Sequence, residues 1–245
     1  MSNWQAQSLR LTIFRSAPID QVVPLLENLT GEKPTKVDSQ PRDNIIREEG
    51  PTILGTLVHV SNPIRIDWHL IPSQEQQQKA VAFPMLGSVA EVKSQFFKLM
   101  SDWLTSDNVP EIKRMALGVV ALMTSNSRES AYKQLSTFLP HVELDIENST
   151  DFSYHINRPI KSSIEPDLVI NRLSKWNALQ TIGFGVFLDE RPEVIKDTRE
   201  HFASRLELDI NTSQYYDKIF SKGRLTEILQ ELNELGEKIL SEGDR

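Results

Sequence analysis

A chain of 245 residues, 39% hydrophobic and 25% charged, is long enough to bury a core without covalent staples and too apolar to stay disordered. It has no cysteine, which excludes a disulfide framework, a thiolate metal site and a thiol nucleophile, and fits a reducing, cytoplasmic compartment. The formal net charge of −7 disfavours non-specific binding to nucleic acid or an anionic bilayer over the whole surface, leaving a local basic patch as the only route to either.

The opening MSNWQAQSLRLTIF has neither the apolar stretch nor the small-residue cleavage pattern of a secretory signal. Within it, Leu9, Leu11 and Ile13 alternate with Arg10, Thr12 and Phe14, which predicts a strand over residues 9–14. APIDQVVPLLENLTG follows with Val22, Val23, Leu25, Leu26 and Leu29 at helical spacing, and Gly31 is placed to end a helix that Pro24 shortens. Residues 32–50 are polar and punctuated by Pro34 and Pro41, and read as a loop. Residues 52–72 are rich in β-branched side chains and broken once at Asn62 and Pro63, a hairpin pattern. A helix is predicted over residues 88–104, with Val89, Val92, Phe96, Phe97, Met100 and Leu104 on one face.

After the connector SDNVPE the order restarts. IKRMALGVVALM reads as a buried strand; its apolar core, residues 115–123, is about half of the ~20 residues a bilayer requires, so no membrane association is expected. SNSRESAYKQLSTFLP reads as a helix capped by Ser125 or Ser127. Strands are predicted over residues 152–157, 168–173 and 181–188, a helix over 192–206, and a half-buried strand over 205–212. The chain ends in an amphipathic helix whose stripe is Leu225, Ile228, Leu229, Leu232, Leu235 and Ile239; it either closes a sheet or packs on another chain, so a homo-oligomer stays open.

HVSNPIR at residues 59–65 and HINRPIK at residues 155–161 match in register 96 positions apart. With the repeated element order, the match predicts an internal duplication. The expected fold is α+β, two similar βαββα(β) ferredoxin-like lobes over residues 1–108 and 109–245, with the C-terminal amphipathic helix in the second; the alternative is one continuous sheet shared by both.

The second copy adds bases. If residues 152–173 form a hairpin around IKSSIEPD, then Tyr154, His155, Arg158, Lys161, Arg172, Lys175 and Trp176 share a neighbourhood, a basic and aromatic cluster in an acidic chain. Bases with interleaved rings suit an acidic protein partner, or phosphates and splayed bases. Glu143 with Asp145, and Glu207 with Asp209, are two residues apart in alternating segments and would share a strand face, the spacing that offers oxygen ligands to a divalent cation, although a polar outer strand face accounts for both. Asp67 and His69 in IDWHL share a face with His59 across the hairpin, but a third zinc ligand is not evident.

The chain contains no phosphate loop, dinucleotide turn, nucleophile elbow, HExxH helix or EF-hand loop. These readings lead to a non-enzymatic, cytoplasmic interaction protein, an adapter or accessory subunit, with a protein partner and without cofactor or metal. The alternative is a nucleic-acid or nucleotide binder using the basic and aromatic cluster; the third is a metal-dependent hydrolase using the strand carboxylates.

Overall fold

The computed structural model describes residues 3–80, 82–187 and 193–245. The alternation around Leu9 produces β1 (Gln5–Arg15), in which Leu9, Leu11 and Ile13 are fully buried. After it comes a single short helix, α1 (Leu26–Thr30), which Gly31 ends in the left-handed region at φ 74°. Pro24 delays its start beyond Val23, and the backbone N–H groups of Leu25 and Leu26 donate to the Glu48 carboxylate in place of a side-chain cap.

Residues 32–50 are not a loop: they hold β2 (Lys36–Gln40) and the start of β3 (Ile45–Pro51). Every residue of β2 is exposed, so the strand has no apolar face to give a period-2 signal and is held through its backbone pairing with β3. The hairpin expected next is β4 (Thr56–Asn62) and β5 (Arg65–Ile71). Short α2 (Gln74–Lys79) carries a Ser73 capping box, and β6 (Gly87–Ser88) leads into α3 (Val89–Thr105).

The second half begins with β7 (Ile112–Ser125) and α4 (Arg128–Phe138), whose N-terminus is capped by the Ser127 side chain. Residues 141–148 form a loop, and Asp145 accepts from the backbone N–H of Asn148, so Glu143 and Asp145 do not sit on a strand. β8 (Ser153–Asn157) and β9 (Ile160–Lys161) both pair with β10 (Val169–Phe187), which joins two segments expected as separate strands. The helix expected from residue 192 is instead the start of β11 (Glu193–Thr212): pairing with β10 overrides a locally helical spacing. Leu188 and Pro192 lie outside the described residues. The terminal helix, α5 (Leu225–Glu242), buries Leu225, Ile228, Leu229, Leu232, Ile239 and Leu240.

Among the described residues eleven strands join one antiparallel sheet in the order β2-β3-β4-β5-β1-β7-β11-β10-β8, with β6 beside β1 and β9 beside β10. Two ferredoxin-like lobes are therefore not what the chain forms. β1 and β7 pair over most of their length and fuse the halves into a continuous sheet with one hydrophobic cluster. The HVSNPIR and HINRPIK match does not fall on equivalent strands: Asn62 and Pro63 turn β4 into β5, two places from the sheet centre, whereas Arg158 and Pro159 only interrupt an edge strand that continues along β10 as β9.

α3 packs on β1, α5 on β7, β10 and β11, and α4 on the same three strands, so the long helices lie on one face and bury Leu11, Trp68, Trp176, Leu206 and Ile210 beneath them. α3 and α5 are linked by Lys93 Nζ and Glu237 Oε1 at 2.6 Å. The other face of the sheet carries none of these helices, and alternation sends its polar side chains there.

Candidate binding face

The predicted basic and aromatic cluster is divided between the two faces of the sheet. β8 pairs with β10 in a register that sets Tyr154 beside Trp176 and His155 beside Lys175. Because successive strand residues point to opposite faces, the two pairs separate. Trp176 is fully buried under the helices, between Phe138 and Trp4, with ring centroids 5.7 and 6.2 Å away, and its Nε1 donates to Ser174 Oγ.

Tyr154 and Arg158 hold the C-terminus. Tyr154 donates its hydroxyl to Asp244 Oδ2 at 2.9 Å, and Arg158 donates Nε and Nη2 to the two oxygens of the same carboxylate at 2.5 and 3.1 Å. Burial pushes the Asp244 carboxyl up, but Arg158 and Tyr154 outweigh it and hold the group below the usual carboxylate range. Arg172 donates Nε to the Arg158 carbonyl, which fixes the strand break. Lys161 is exposed on β9 at the sheet edge. The hairpin around IKSSIEPD does form, closed by Ser162 N–H to the Leu168 carbonyl at 2.9 Å, and Glu231 of α5 accepts from the Ser162 and Ser163 hydroxyls.

His155 and Lys175 point the other way, into a groove of about 400 Å³ on the uncovered face. Two cross-strand rows floor it. One runs His69, Arg10, Gly118, Asp209, Leu173; the other Ser8, Val120, Glu207, Lys175, His155. Gly118 supplies no side chain, which leaves the floor of the groove bare backbone at that point of β7. Arg10 crosses this gap: its Nη2 donates to Asp209 Oδ2 at 3.2 Å, and a methyl built on Gly118 would meet its guanidinium at 3.3 Å.

The same face is laced with ion pairs. Arg65 Nη2 donates to Asp67 Oδ1 at 2.7 Å, Lys175 Nζ lies 3.5 Å from Glu207, and Arg205 also donates to Glu207. Burial lowers the His69 imidazolium below its usual pKa; Asp67 opposes this, and Arg10, Arg65 and Arg47 add to it. A neutral imidazole is thus favoured at neutral pH.

The expected set of Asp67, His69 and His59 does not assemble. His69 stays 3.9 Å from Asp67 on the uncovered face, whereas His59 is buried on the helix side, 2.8 Å from Glu48. Among the described residues no group of three or more His, Asp or Glu is placed to hold a metal ion, and no helix is long and apolar enough to cross a membrane. The sequence singles out His155 and Lys175 in the basic cluster, Glu207 with Asp209 as a carboxylate pair and His69 beside Asp67, but not as one site, and it passes over Arg10 and Gly118. Strand alternation places Arg10 and His69 on a polar face, yet nothing local says which strands flank them.

Compared with known proteins, the chain matches no family model and no curated protein.

Proposed function

We propose that this chain is a non-enzymatic binding protein, an adapter or accessory subunit, that docks a protein partner on the uncovered face of its sheet. The observation that carries the reading is the groove over Gly118, where side chains from six strands converge on a space of about 400 Å³. Its lining sets the hydrogen-bonding side chains of Ser8, Arg10, His155, Lys175, Glu207 and Asp209 among apolar Val120 and Leu173, a mixture that suits recognition. The cysteine-free sequence accords with a cytoplasmic location.

Filling the groove tests the proposal. A side chain built from Gly118 first meets the guanidinium of Arg10, the far end of a flexible side chain on the uncovered face, so Gly118→Phe should fold. Proteins that co-purify with the wild type from the source cells should be lost from this variant while its melting temperature stays within a few degrees. Retention of the same partners by folded Gly118→Phe would move the interface elsewhere.

A further inference from the structure

We infer that the partner segment recognised in the groove is an acidic peptide, laid across the strands with its carboxylates against Arg10 and Lys175; this rests on the docking reading above. The chain as a whole carries −7, yet the uncovered face of the six strands from β5 to β8 that line the groove has the opposite balance. Arg10, Arg65, Arg114, Lys175 and Arg205 face outward there. Among the described residues three acids stand against these five bases: Asp67, Glu207 and Asp209. Negative charge is therefore displaced to the rest of the molecule, and this face attracts what the remainder repels.

Two donors are open. Among the described residues Arg114 pairs with no carboxylate: it donates to the Thr212 carbonyl and Asn211 Oδ1 and lies over the Phe14 ring at 4.9 Å. Arg10 engages Asp209 through Nη2, and its shielded Nε–H has no acceptor. A ligand carboxylate can instead meet the exposed edge of the guanidinium, whose side chain is 32% accessible, beside Asp209. Glu207 meanwhile serves both Lys175 and Arg205, so each base shares an acceptor and gains from another carboxylate.

The length follows from the sheet. Six strands at ~4.8 Å spacing span about 24 Å, which an extended peptide covers in about seven or eight residues. The face is unsuited to nucleic acid for two reasons. Glu207 and Asp209 alternate with the bases along the rows, which a peptide can match with spaced carboxylates but a strand charged at every phosphate cannot. Among the described residues no large aromatic ring is free on this face for base stacking, since Trp176 and Tyr154 lie on the helix side and Phe14 is covered by Arg65 and Arg114.

The test is fluorescence anisotropy with labelled octaglutamate and labelled octathymidylate against the intact chain at low ionic strength. Octaglutamate should bind the wild type more tightly than octathymidylate, and Arg10→Gln and Lys175→Gln should each weaken it roughly fivefold. Asp209→Asn should tighten it by a similar factor, because it frees Arg10 and removes a like charge; a merely structural pair would give losses of the same sign from both partners. No octaglutamate binding, tighter octathymidylate binding, or weakening by Asp209→Asn overturns the acidic ligand. If any of these occurs while Gly118→Phe still sheds the co-purifying partner, the docking face stands and only the ligand class falls.

Discussion

Arg10 and Asp209 are 199 positions apart in the chain and 3.2 Å apart in space, paired from β1 and β11 over the bare backbone of Gly118 on the strand between them. A side chain larger than hydrogen at that point would force the bridge to shift. The pair is a surface one, with side chains 32% and 43% exposed, so solvent screens it. A double-mutant cycle on Arg10→Ala and Asp209→Ala, read by urea unfolding, should give a coupling below ~1 kcal/mol that shrinks in high salt. A coupling above ~2 kcal/mol would show that the bridge holds the sheet together and would weaken its assignment to ligand recognition.

The C-terminus closes on a second such carboxylate, this one buried. Gly243 takes φ 79°, and a methyl on it would lie 2.1 Å from the Phe138 carbonyl oxygen, so only glycine lets the chain turn there and deliver Asp244 to Arg158 and Tyr154. Asp244→Ala removes an acceptor that takes three hydrogen bonds and should cost about 2 kcal/mol. Gly243→Ala should cost at least as much, through strain and loss of the same contacts. Both are measured as shifts in the urea midpoint at unchanged slope. A Gly243→Ala variant as stable as the wild type would mean that the last residues do not dock.

Neighbours on β10 should behave as opposites. Lys175 is partly exposed over the groove, and Trp176 beside it is fully buried against Trp4 and Phe138. Trp176→Ala should lower stability by about 3–5 kcal/mol through lost burial and a cavity, while Lys175→Ala stays within ~0.5 kcal/mol. Chemical denaturation of the two variants decides it. Similar costs would put both residues in one environment and contradict the strand alternation.

That contrast shows what the sequence can carry. Leu9, Leu11 and Ile13, and the stripe from Leu225 to Ile239, announce β1 and α5 because each element buries one whole face and the period is written in its own residues. β2 is silent because an exposed edge strand has no face to bury. Tyr154 through Trp176 look like one cluster because they are near in the chain, but the two-residue period of a strand sends Tyr154 to Asp244 and His155 to the groove. The resemblance of residues 59–65 to 155–161 misleads for the same kind of reason: strand order comes from long-range pairing, which a local match does not encode. The bridge from Arg10 to Asp209 needs the order β1, β7, β11, and no local pattern supplies it.

The last prediction concerns acid. Glu48 is buried on the helix side, where one carboxylate oxygen accepts from His59 Nδ1 at 2.8 Å and from the N–H groups of Leu25 and Leu26 at 2.8 and 3.1 Å. Burial raises its pKa, but His59 and the two N–H groups more than reverse this and hold the carboxyl below its usual range. A carboxyl depressed in the folded state contributes stability that is fully present above its unfolded pKa of ~4.3 and is lost as pH falls through the folded value. Glu48→Gln should therefore cost about 2 kcal/mol at neutral pH, the scale of hydrogen bonds to a charged group, and the gap from the wild type should narrow below about pH 4. Thermal melts of both proteins from pH 7 down to acid provide the comparison. A gap that stays constant across that range would mean that Glu48 acts by shape alone, and that its charge does not anchor α1 to β3 and β4.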